Sequence, residues 1–173
     1  FIAVWQIGQP LQAATLYWDT DTSDTGNAID GTLLGGTGAW DTATSNWWPV
    51  PAGAFATWGN TSSDTAIFSG PTVSIPTLNT ATLASGLIAN QLRFNRSGYT
   101  LTGGNLTLAG TTPTIYASLG ESATIASQLS GTAGLTVSGG GSFRLTNELN
   151  NYTGTTTISN GSLVISNQAA LGA

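Results

Sequence analysis

From residue 71 onward, apolar residues recur in pairs two positions apart, separated by polar, glycine-rich stretches: Val73/Ile75, Leu92/Phe94, Tyr99/Leu101, Leu106/Leu108, Leu135/Val137, Phe143/Leu145 and Leu163/Ile165. A period of two puts both members of a pair on one face of an extended strand and turns the intervening residues, mostly Thr or Ser, to the other. Segments 103–108, 141–145 and 161–165 share one outline, a glycine turn followed by a short strand with inward apolar side chains. No such strand closes a core alone. Stacked along an axis, however, they bury a continuous apolar column and leave unpaired hydrogen-bonding edges only at the two ends. No stretch carries the apolar spacing of a helix.

Two zones precede these repeats. Residues 1–13 predict an extended apolar arm, with Ile2, Val4 and Gln6 facing one way and Phe1, Ala3, Trp5 and Ile7 the other. A strand apolar on both faces needs cover on both. The arm either lies along the chain's own sheet or is donated to a neighbouring subunit. Residues 14–70 hold Trp18, Trp40, Trp47, Trp48 and Trp58 together with every Asp of the chain. Tyr17-Trp18-Asp19, Ala39-Trp40-Asp41 and Asn46-Trp47-Trp48, punctuated by Gly and Asp, predict short strands and tight turns. Clustered Trp side chains bury large areas, so this zone is expected to be a cap or core; an exposed sugar-binding platform is the alternative.

Composition narrows the picture. Only 6% of residues are charged, and Gly numbers 23 of 173, against a usual charged fraction of about 25%. Gly, Thr, Ser and Asn are poor helix formers, and 40% apolar content argues for a packed core. The net charge is −5, and the basic residues are Arg93, Arg96 and Arg144, with no Lys. Nucleic acids and anionic membranes need a basic track, so both are excluded as partners. Cys and His are absent, which removes disulfides, a thiol nucleophile, an imidazole base and an ordinary zinc site. With no Met, the chain is expected to be a processed segment. Its apolar start is too short to span a bilayer. Gln12-Ala13-Ala14 has the small-residue character of a signal-peptide end, but no basic stretch precedes it.

Candidate chemistry is sparse. Asp19, Asp21, Asp24 and Asp30 are spaced like oxygen donors for calcium, yet the glycine and bidentate Glu of an EF-hand are out of register, and solvated turns are the default. Glu121 and Glu148 stand alone in their repeats, and a regular strand would put Arg93 and Arg96 on opposite faces. The glycine loops lack the Lys and following helix of a phosphate cradle. Sequons at Asn60, Asn95, Asn105, Asn151 and Asn160 follow from the composition. No catalytic residue, cofactor or metal site is therefore assigned.

The stretch from Gly134 becomes specific: Gly134-Leu135-Thr136-Val137-Ser138-Gly139-Gly140-Gly141-Ser142-Phe143-Arg144-Leu145, then Tyr152-Thr153-Gly154-Thr155-Thr156-Thr157-Ile158, Asn160-Gly161-Ser162-Leu163 and Ala170-Leu171-Gly172. It resembles the passenger-associated transport repeat of autotransporter adhesins, the autotransporter-associated β-strand repeat. Val137 stands where that family usually has Lys. The Trp-Asp motifs upstream are similar to the Trp-rich region that often precedes such repeats. The resemblance implies a right-handed parallel β-helix displayed outside a bacterial cell.

The expectation is thus an all-β, right-handed parallel β-helix or solenoid, with an extended arm (1–13), a Trp-rich N-terminal cap (14–70) and solenoid repeats (71–173). The function expected from it is a structural, secreted subunit of a surface filament, joining copies of itself head to tail. Phe1, Ile2, Val4, Trp5 and Ile7 of the arm, with Leu163, Ile165 and Leu171 at the far end, would form the assembly interface. A glycan-recognising adhesin module, with extracellular or cell-surface polysaccharide as partner, is the alternative, and a carbohydrate-active enzyme comes third.

Overall fold

The computed structural model describes residues 13–50, 53–71 and 78–172. The entry region contains β1 (Thr15–Trp18), β2 (Gly38–Trp40) and β3 (Trp47–Pro49). Turns of a solenoid follow. The first comprises β4 (Thr65–Phe68), β5 (Asn79–Leu83) and β6 (Leu87–Ala89), and the second β7 (Gln91–Phe94), β8 (Tyr99–Gly103) and β9 (Asn105–Leu108). The third comprises β10 (Thr114–Ala117), β11 (Ser122–Ile125) and β12 (Gln128–Ser130). The fourth has β13 (Leu135–Ser138), β14 (Ser142–Leu145) and a segment whose Asn151 and Thr153 amides donate to Leu129 and Gly131. Last come β15 (Thr156–Ile158), β16 (Ser162–Ile165) and the 3-10 turn Gln168–Leu171.

Like sides of successive turns stack into three sheets, ordered β15-β13-β10-β7-β4-β1-β3, β16-β14-β11-β8-β5-β2 and β12-β9-β6. Every pairing among these strands is parallel except that of β1 with β3. The all-β parallel solenoid expected from the repeat outline is the observed fold. The expected boundary at 70/71 falls between β4 and β5, inside one turn.

Register explains the alternating sequence. In the six-stranded sheet Ala81, Leu101, Ile125, Leu145 and Ile165 form one inward column, and Tyr99, Ala123, Phe143 and Leu163 another. In the seven-stranded sheet the column runs Leu16, Ala66, Leu92, Ile115, Val137, Ile158. In the smallest sheet it runs Leu87, Leu106, Leu129. The columns are buried until the C-terminal rung, where Leu163 and Ile165 are only partly covered and Ile158 is 52% exposed. A residue in an inward column stays dry when another rung, or other side chains in its place, covers each side of it.

The other end is closed by tryptophan. Trp47 lies 5.1 Å from Trp18, 5.1 Å from Trp40 and 4.7 Å from Trp58, centroid to centroid, and Phe68 joins the cluster at 6.0 Å. Phe68 stacks on Phe94 at 4.8 Å, which ties the cluster to the next rung. The Trp58 indole N–H donates to the Ile88 carbonyl at 2.9 Å, and the Ile88 amide donates to Asn60 Oδ1 at 2.6 Å. These bonds occupy the outer edge of β6, which would otherwise present unpaired backbone groups. Trp48 is turned away from this cluster and meets Tyr17 edge-on at 5.8 Å.

Candidate binding face

The outward positions of the six-stranded sheet are almost all hydroxyls. Alternation sends Thr80 and Thr82 of β5, Thr100 and Thr102 of β8, Ser122 and Thr124 of β11, Ser142 of β14 and Ser162 of β16 to this surface. Ala39 of β2, Arg144 and Val164 complete it, and register places Thr80, Thr100, Thr124, Arg144 and Val164 in one row across five strands. A groove of about 360 Å³ lies along this face, lined among others by Gly98, Ser122, Ser142, Leu78, Arg144 and Val164. Gly98, Ser122 and Ser142 are small and leave room beside the longer side chains of Leu78 and Arg144. A second recess of about 300 Å³ shares Ser142 and reaches Gly120, Glu121, Gly140 and Gly161.

The three guanidinium groups have different surroundings. Arg93 lies over the Tyr116 ring at 4.4 Å and donates to Asn95 Oδ1 at 3.1 Å. Arg96 pairs with Glu121 at 3.3 Å and donates to the Gly70 carbonyl. Glu121 also accepts from the Ser97 amide at 2.6 Å and its hydroxyl at 2.7 Å. Glu121 has no second carboxylate in its own repeat, and its partners lie one turn earlier, where the stack brings residues 96–97 beside 121. The strand β7 ends at Phe94, so Arg96 belongs to the following turn rather than to an opposite strand face. Arg144 is exposed, and among the described residues it makes no hydrogen bond, ion pair or ring contact.

The aspartates do not converge. Asp21 accepts the Ser23 amide and Asp30 the Thr32 amide and hydroxyl, each closing a local turn. Asp19 is buried and accepts from Asn27 Nδ2 at 2.7 Å; desolvation holds its carboxyl above the usual range despite that bond. Among the described residues no group of three or more acidic side chains is placed to hold a metal ion. Asp64, which sequence reasoning passed over, is a structural clip: its carboxylate accepts the Ala14 amide at 3.0 Å and the Thr61 amide at 2.8 Å. The motif Asn60-Thr61-Ser62-Ser63-Asp64 carries the turn signal that marks it.

Of the expected assembly residues, Leu163, Ile165 and Leu171 are gathered at the C-terminal end of the stack, all partly covered. Phe1, Ile2, Val4, Trp5 and Ile7 lie outside the described residues, as do Val73 and Ile75. Glu148 sits exposed in the loop after β14, away from Glu121's network.

Fold and surface together define the class as a parallel β-solenoid with neutral, hydroxyl-rich faces and no helix, among the described residues, long and apolar enough to cross a membrane. Over 164 residues, 93% of the chain, the sequence is 38% identical to the Adhesin BmaC autotransporter of Brucella suis biovar 1 (strain 1330). The chain spans 4% of that protein's length. No family model and no solved structure matches the chain.

Proposed function

We propose that the chain is a segment of a surface-displayed adhesin, a solenoid rod whose outer faces contact other surfaces and whose Trp-rich end closes the stack. The observation that carries this reading is the identity with an adhesin autotransporter across nearly the whole chain. A rod of stacked turns suits the role, because each added turn extends the reach while every outward side chain stays available for contact. Surface display and a non-enzymatic role belong to the same proposal. Beads coated with the purified chain should attach to cultured mammalian cells in proportion to coating density. Attachment no better than that of beads coated with an unrelated β-solenoid contradicts the reading.

Head-to-tail self-assembly, the function expected from the repeat outline, is the reading with less support. Against it stands the opposite end, where β3 runs antiparallel on β1 and the Trp cluster covers the column, so that end offers no parallel ladder there. Sedimentation velocity over a concentration series separates the two: growing species support assembly, and a constant monomer excludes it.

A further inference from the structure

We propose that the groove on the six-stranded sheet binds an acidic glycan, with Arg144 receiving a sugar carboxylate. The inference rests on the adhesin reading and names the ligand class for that face.

Among the described residues, Arg144 is the cation of this acidic chain that the fold leaves unused. Arg93 is held by Tyr116 and Asn95, and Arg96 by Glu121, whereas Arg144 lines the groove from β14 with no partner for its donors among the described residues. A guanidinium presents a planar fork that matches a carboxylate in two parallel hydrogen bonds. One such group on a chain of net charge −5 cannot gather a densely charged polyanion, which needs many cations to displace counterions. It suits a ligand that carries a single carboxylate per unit and is otherwise bound by hydroxyls.

The neighbours of Arg144 supply that remainder. Thr124 and Thr100 precede it in the same row, one strand apart each, and Ser122 and Ser142 line the groove. Strands in a sheet are separated by ~4.8 Å, a step of the same order as one pyranose unit, so successive sugars along the axis would meet successive hydroxyls. Val164, next to Arg144 in the row, is 49% exposed, and Leu78, which also lines the groove, is 84% exposed. Both offer apolar surface to the C–H faces of a ring. Glu121, in the adjoining recess, is paired with Arg96 and accepts from the Ser97 amide and hydroxyl, which limits its repulsion of an anionic ligand.

The test is an NMR titration of the chain with sialyllactose and with tetragalacturonate, alongside lactose and maltotetraose as neutral counterparts. Amide shifts confined to β8, β11, β14 and β16, with acidic sugars binding at least about tenfold tighter than neutral ones, are expected. The sugar that binds identifies whether the carboxylate comes from a sialic acid or a uronate. R144Q should weaken the acidic probe at least about tenfold with an otherwise unchanged spectrum, and Thr124→Val should weaken it less. The proposal is overturned if neither acidic sugar shifts this face at millimolar concentration, or if R144Q and the parent chain titrate alike. Cell attachment by R144Q-coated beads is measured in parallel. Retained attachment together with unaltered titration removes the groove and keeps the adhesin reading, whereas a parent chain that fails to attach removes that reading independently.

Discussion

The entry region and the later turns solve the same packing problem with different materials. Between Leu16 and Ala66, partners on adjacent rungs, the chain travels about twice as far as between Ala66 and Leu92, Leu92 and Ile115, or Ile115 and Val137. The long excursion carries β2, β3 and the Trp cluster, and its core is aromatic. The later turns are short, and Leu, Ile, Val, Phe and Ala fill them in columns, each side chain resting on its equivalent one rung away. An end of a stack has no next rung to bury its column. Large rings from one long excursion do that work beside the first turn.

The largest expected effect lies at the centre of the cap. Trp47→Ala should destabilise by about 3–5 kcal/mol in chemical denaturation and remove much of the near-ultraviolet circular dichroism, since Trp18, Trp40, Trp58 and Phe68 all pack on that ring. Leu101→Ala, between Ala81 and Ile125 in a regular column, should cost less, about 3 kcal/mol, and leave the aromatic signal intact. A larger loss for Leu101→Ala than for Trp47→Ala would reverse the comparison.

The corners of the turns sharpen it next. Gly139, between β13 and β14, has φ +99°, and a Cβ there would lie 2.2 Å from the Ala117 carbonyl oxygen. Gly86, between β5 and β6, has φ +82° but open space around it. Gly86→Ala should therefore cost only the left-handed backbone penalty, roughly 1–2 kcal/mol. Gly139→Ala should cost distinctly more, because the corner beneath must also move; equal midpoints in urea would show that the turns are not in close contact there.

The smallest effect belongs to the cap's buried carboxyl. Burial raises the folded-state affinity of Asp19 for its proton above the ordinary 3.8. Between the unfolded and folded values the native state binds more protons, so this group makes stability fall as pH rises through that window. Asp19→Asn should flatten the decline just above pH 3.8, read from urea midpoints measured at successive pH values. An unchanged slope would mean that the carboxyl is solvated.

Much of this was legible in the chain, and the gaps have physical causes. Leu92/Phe94, Tyr99/Leu101, Leu106/Leu108, Leu135/Val137 and Phe143/Leu145 are buried as the alternation predicts. The third turn was not picked out, because its inward positions include Ala117 and Ala123, and β12 offers only Leu129. Alanine satisfies a column where a phenylalanine sits on the next rung, but carries little hydrophobic signal alone. The parallel pairing of β1 with β4 was hidden by the excursion between them. Arg96 and Glu121 meet because the turn between them closes one circuit, a proximity that needs the register of the stack. The hydroxyl row was implied by the Thr and Ser between apolar pairs; the groove around Arg144 required three-dimensional knowledge of which small residues line up beneath it.

The absence of cysteine makes one distance measurement direct. Spin labels on Thr80→Cys and Val164→Cys sit on strands four steps apart in the six-stranded sheet. Parallel stacking in this register predicts a single narrow pulsed-EPR distance of roughly 19 Å, broadened by the label tethers. A broad distribution, or a peak beyond roughly 30 Å, would contradict the stack itself.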